Sequence, residues 1–169
     1  MKIHLTRLRL SIILILILIL PTFVFSQETN DIHKIYLKII DDKYTYKILN
    51  FWATWCLPCV EEMKSLNNFQ DQFISKENPA LIKLFLINGD RYDNEKEYQT
   101  LLKKIKKRVP HNIDNFVDSN EYFFKKFNIK NVPTTIILKD NKIIKTFENK
   151  VDFMSHKFLD IFNKSEKIK

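Results

Sequence analysis

The chain has 169 residues, with 28 basic against 20 acidic side chains for a net charge of +8, and it contains two cysteines and one glycine. That length suits one domain around one core. So mild an excess of positive charge gives no reason to expect nucleic acid as a partner.

The N-terminus reads in three parts: the basic residues Lys2, Arg7 and Arg9, the apolar stretch Leu10 to Leu20, and Val24-Phe25-Ser26 ahead of Gln27. This is the pattern of a secretory signal peptide over 1–26, with Val24 and Ser26 at the small-residue positions of a cleavage site. An uncleaved anchor is the alternative, although Pro21 breaks the apolar run short of the ~20 residues a spanning helix needs. With no cysteine near the site, a lipid anchor is excluded. Cleavage leaves residues 27–169 as a single domain with 25 basic and 20 acidic residues. Export places the chain outside the cytoplasm, in a periplasmic or other extracytoplasmic space, where two cysteines default to a disulfide.

Beyond that segment, Ile35 to Ile40 and Tyr44 to Phe51 read as strands around Asp41-Asp42-Lys43. A helix follows over Cys59 to Phe73, with Met63, Leu66, Phe69 and Phe73 at helical spacing. Leu81 to Ile87 is a continuous apolar run of the kind buried in a parallel sheet. Tyr98, Leu101, Leu102 and Ile105 mark a helix whose Lys103, Lys104, Lys106, Lys107 and Arg108 read as a solvated face. Asn115 to Val117 is a short strand and Glu121 to Phe127 a short helix. Thr134 to Leu138 and Lys142 to Phe147 form a hairpin across Asp140-Asn141, and Phe153 to Phe162 closes the chain with a helix. An average composition would supply about twelve glycines, so Asn and Asp, which tolerate the left-handed conformation, are expected to make the turns at Asn88-Gly89-Asp90 and Asp140-Asn141.

The chemistry concentrates in Cys56-Leu57-Pro58-Cys59, between an apolar strand and a helix. At a helix N-terminus the unpaired N–H groups and the macrodipole favour a thiolate, so Cys56 is the expected nucleophile, and Cys59, one turn on, is placed to resolve the mixed disulfide. Pro58 suits the first turn, where its missing N–H costs nothing. An inert staple over so short a loop would constrain little of the unfolded chain. The four histidines show no ligand spacing, so no zinc site and no cofactor are expected. Glu62 shares a helical face with Cys59 and is placed to exchange a proton with it, while Glu61 is by pattern an equally good surface acid.

The run Phe51-Trp52-Ala53-Thr54-Trp55-Cys56-Leu57-Pro58-Cys59, together with Val132-Pro133-Thr134, resembles the thioredoxin superfamily, and within it the extracytoplasmic thiol-disulfide oxidoreductases of the TlpA/ResA type. The resemblance covers Tyr46 to Phe162. It implies an α/β, thioredoxin-like three-layer fold with a mixed central sheet flanked by helices. It also implies a cis Pro133 facing the cysteines, where sequence alone favours trans, and a backbone at Val132 that pairs with an extended substrate segment. Relatives carry a functional glutamate at the place of Glu62. Asn50 stands where cytoplasmic thioredoxins have a buried Asp, which leaves the acid–base duty to Glu62. Trp55, Pro58, Val132 and Thr134 are expected to form the substrate-binding rim, with Trp52 assignable to rim or core.

The activity implied is reduction of protein disulfides, with apocytochrome c among the candidate substrates, a membrane thiol reductase as electron donor, and a monomer as the working form. A thiol peroxidase would need a Pro-x-x-x-Thr-x-x-Cys pocket that this chain lacks, and a redox-silent binding module would not need both cysteines. No charged residue adjoins Cys56 except the acids Glu61 and Glu62, so the thiol is expected to be little acidified. The potential then belongs nearer ~−270 mV than ~−120 mV, and a value above roughly −180 mV would point instead to the alternative, a thiol oxidase or isomerase.

Overall fold

The computed structural model describes residues 32–77 and 81–163. The signal segment expected over 1–26 lies outside the described residues. The described residues fall in two units that divide between Ile39 and Ile40.

Residues 32–41 are helical (α1), which corrects the strand expected over Ile35 to Ile40. Ile32 and Ile39 are buried, Ile35 and Tyr36 are half-buried, and His33, Lys34, Leu37 and Lys38 are exposed. That is a period of 3.6 carried by β-branched residues; strand propensity misled where the spacing decided.

The second unit is built on a five-stranded sheet in the order β3-β2-β1-β4-β5, with β1 at Tyr46–Trp52, β2 at Ile82–Asn88, β3 at Asp114–Val117, β4 at Thr134–Lys139 and β5 at Lys142–Phe147. Strands β1, β2 and β3 run parallel, β4 runs antiparallel to β1, and β5 antiparallel to β4. All seven residues of β1 are buried, as its central place demands. Lys47, within it, is satisfied at the sheet end, where Nζ donates to the Ile40 carbonyl and to Asn141 Oδ1, both at 2.7 Å. Burial nonetheless pulls its pKa below the usual lysine value.

Helix α2 spans Leu57–Asn68, α3 Glu95–Arg108, α4 Tyr122–Lys126 and α5 His156–Asn163. The chain after α2 widens into a π-helix over Phe69–Glu77, where the expected α-helix would have run unbroken to Phe73. With bonds from i to i+5, Phe73 and Ile74 both come round beneath Phe69, and all three are buried.

On one face of the sheet, Tyr46, Ile48, Trp52, Leu84 and Leu86 pack with Met63 and Leu66 of α2, Leu101 and Ile105 of α3, and Phe158 and Phe162 of α5. Phe69 lies in the middle of this layer, its ring 5.3 Å from those of Phe73 and Phe158 and 5.8 Å from Phe162. On the opposite face Phe51 meets Phe124 edge-on at 5.2 Å. Helices on both faces of a mixed sheet make the three layers expected.

The turns carry the positive φ angles that the shortage of glycine forces on other residues, at Glu121, Asn128, Asp140 and Asn141. The single glycine serves a different need. A Cβ on Gly89 would lie 2.5 Å from Phe124 Cζ, so this position is kept bare by the ring that packs over it.

Candidate active site

The buried strand β1 ends at Trp52, and the turn Ala53-Thr54-Trp55 delivers Cys56 as the N-cap of α2. Its Sγ accepts a hydrogen bond from the Cys59 N–H at 3.2 Å, a donor of the helix start aimed at the sulfur, and such a donor favours negative charge there. Cys56 and Cys59 form a disulfide. Both cysteines are buried, Cys56 at 4 % exposed and Cys59 at none, so Cys56 is the one nearer the surface. Pro58 lies in the first turn of α2, as expected.

The antiparallel register sets Thr134 opposite Phe51, so Val132-Pro133 emerges at the end of β1 from which the cysteine turn leaves. The Val132–Pro133 bond is cis. Pro133 and Thr134 are buried, and the Thr134 hydroxyl donates to the Asn131 carbonyl at 2.7 Å, so it braces the loop from within. Val132 is half-buried. Trp55 is 72 % exposed while Trp52 is fully buried and donates from Nε1 to Asn115 Oδ1 at 2.9 Å; Trp55 is therefore rim and Trp52 core. Between the two loops a cleft of about 270 Å³ is lined by Trp55, Gly89, Phe124, Lys130, Asn131 and Val132.

Glu62 is 1 % exposed and lies on the same buried face of α2 as Cys59. Its Oε1 accepts from Asn50 Nδ2 at 2.8 Å and its Oε2 from the Val151 N–H at 3.0 Å. Burial raises its pKa; the bonds from Val151 and Asn50 and the charge of Lys150 oppose the rise without cancelling it. Asn50 Nδ2 also reaches Thr135 Oγ1 at 3.1 Å, while Asn50 Oδ1 has no partner among the described residues. Turning that amide over would aim the oxygen at Oε1, where a protonated carboxyl would donate to it. Glu61, by contrast, is exposed and pairs with Lys150 at 2.7 Å.

Sequence reading missed a second carboxylate. Asp90 is buried just past β2, and it accepts from both the N–H and the hydroxyl of Thr54, at 2.7 and 2.8 Å. Arg108, at the end of α3, donates to the Thr54 carbonyl. One signal was available: Asn88-Gly89-Asp90 follows the carboxyl end of a parallel strand, where functional groups of open α/β sheets gather.

A family profile described as Thioredoxin-like matches residues 44–144. The chain belongs to the thioredoxin-like family. Among curated relatives of this thioredoxin-like chain, sporulation thiol-disulfide oxidoreductase A of Bacillus subtilis is 28% identical over 101 residues, 60% of this chain and 57% of the relative. The thiol-disulfide oxidoreductase ResA of Bacillus thuringiensis is 26% identical over 125 residues, covering 73% and 64%. The chain thus spans less than two thirds of the length of these relatives. The crystal structure of StoA from Bacillus subtilis aligns with a TM-score of 0.53 at 28% identity, over 66% of this chain and 79% of that one.

Proposed function

We propose that this chain is an exported thiol-disulfide oxidoreductase that reduces disulfides of protein substrates. The reading rests on one observation above the others: a sulfur at a helix N-cap, its partner sulfur more deeply buried, and a buried carboxyl of raised pKa on the same helical face. The relatives named as thiol-disulfide oxidoreductases support the reaction class.

In the reductive half-reaction the Cys56 thiolate attacks one sulfur of the substrate disulfide, forming the Cys56–substrate bond and releasing the other sulfur as a thiolate. Cys59, losing its proton, then attacks Cys56, closes the enzyme disulfide and releases the second substrate thiolate. Glu62 is the acceptor for the Cys59 proton. Its raised pKa lies nearer that of a thiol than an ordinary glutamate's does, which favours transfer in both directions. The edge of the cis Val132-Pro133 loop offers backbone to an extended substrate segment, and Trp55, Pro58 and Val132 form the rim that shields the reacting sulfurs, with Thr134 bracing it. A reductase in an oxidising compartment needs electrons from a membrane thiol reductase; apocytochrome c is one substrate class that fits, and the chain acts as a monomer.

Cys59→Ser is expected to accumulate mixed disulfides through Cys56, recovered from the extracytoplasmic fraction on a chain beginning at Gln27. Cys56→Ser should trap little. Equal trapping by both variants would reverse the roles, and a recovered chain that keeps residues 1–26 would mean the anchor.

A further inference from the structure

The clamp on Thr54 uses a charge where hydrogen bonding alone would have served. Asp90 Oδ2 accepts from the Thr54 N–H at 2.7 Å and from Asn88 Nδ2 at 2.7 Å, Oδ1 accepts from the Thr54 hydroxyl at 2.8 Å, and the Asp90 N–H donates to Asn88 Oδ1 at 3.1 Å. Asp90 is 7 % exposed and reaches the cysteine turn from just past β2, at Thr54, two residues before Cys56. Its negative charge is thus fixed against the one segment of the molecule whose own task is to carry a negative charge.

We infer that Asp90 is a positioning residue that sets the acidity of the Cys56 thiol, and with it the redox equilibrium of the Cys56–Cys59 pair. The inference rests on the thiol-disulfide reading above. A fixed anion disfavours the thiolate, raises the thiol pKa and leaves the dithiol less stable relative to the disulfide. Other charges face the same turn. Arg108 donates to the Thr54 carbonyl and opposes Asp90, but its side chain is exposed and so its field is screened by solvent, whereas that of Asp90 is not. Lys96, Lys104 and Glu97 line the outer groove beside Thr54 and are all exposed, and Lys130 lines the cleft with Trp55, also exposed. Arg91 is neutralised by Glu121. Glu62, on the helix side, is buried and pushed toward its neutral form. Asp90 is then the buried fixed charge at the turn.

Asp90→Asn separates charge from shape. An amide oxygen at the Oδ2 position keeps the bonds from the Thr54 N–H and Asn88, and an amide nitrogen at Oδ1 donates to the Thr54 hydroxyl. Two quantities are measured on the reduced full chain: the pH dependence of Cys56 alkylation, and the equilibrium of dithiol plus oxidised glutathione with disulfide plus two reduced glutathiones. Relative to wild type, Asp90→Asn should lower the Cys56 pKa and shift that equilibrium toward the dithiol by roughly three- to tenfold. Thr54→Val, which removes a contact and keeps the charge, should move neither by more than about twofold. The wild-type pKa and equilibrium retained in Asp90→Asn would overturn the assignment, as would an equal shift in Thr54→Val, which would make the clamp merely structural. If wild type itself does not exchange with glutathione, the oxidoreductase reading fails instead.

Discussion

Glu61 and Glu62 are adjacent acids with opposite fates, because Glu61 points to solvent and Lys150 while Glu62 turns inward to Asn50 and Val151. The raised pKa of Glu62 fixes the sign of a stability effect. The folded state holds its proton more tightly than the unfolded chain, so this contribution is fully present below the ordinary glutamate value of 4.5 and is lost as pH rises through the higher folded value. Glu62→Gln should remove that decline from denaturant midpoints measured across acidic to neutral pH and flatten the matching limb of the pH–rate profile of disulfide exchange. Glu61→Gln should leave both near wild type, since an exposed pair contributes at most about 1 kcal/mol. Profiles of Glu62→Gln that superimpose on wild type would take Glu62 out of the mechanism. Glu62→Ala, which strands the Val151 N–H and the Asn50 amide, should cost about 1–3 kcal/mol.

At the scale of elements, the site is a meeting of loop ends that the sheet brings together. The turn after β1 delivers Cys56 to the start of α2, whose first turn carries Cys59, the turn after β2 holds Gly89 and Asp90, and the loop before β4 holds Val132-Pro133. Gly89 matters because Phe124 lies over its Cα, and Phe124 in turn packs on Phe51 of β1. Gly89→Ala forces that ring to shift and should destabilise by about 1–3 kcal/mol in urea unfolding. It should also reshape the cleft that Gly89 and Phe124 line together, slowing exchange with peptide disulfides more than with small ones. A variant as stable as wild type would mean that the ring yields freely.

Across the whole molecule, one aromatic layer ties the helices to the sheet. Phe69 is fully buried and touches the rings of Phe73, Phe153, Phe158 and Phe162, joining the π-helical turn to α5 and its approach. Phe69→Ala should cost about 3–5 kcal/mol, a large share of the stability of a domain this size. The loss should appear as a lower denaturant midpoint with little change in glutathione equilibrium. A parallel shift in that equilibrium would show that the core also tunes the disulfide.

The sequence by itself determined the cysteine pair, its place between a buried strand and a helix, and the turns made by Asp140 and Asn141, because each depends on residues within a few positions of one another. Its apolar periodicity also marked all five strands of the sheet to within two residues. Strand propensity in Ile35 to Ile40 hid a helical spacing, and that element was misread for a local reason. Tertiary structure alone decided what surrounds the sulfurs. Whether Glu61 or Glu62 is buried depends on Asn50 and on the Lys150-Val151 segment 89 positions away. The neighbourhood of Cys56 looked free of charge beyond its own helix, yet β2 returns Asp90 and α3 returns Arg108 to Thr54. Burial and field are sums over everything that packs on a group, and the parallel register of β1 and β2, set by long-range pairing, is what brings those contributors together.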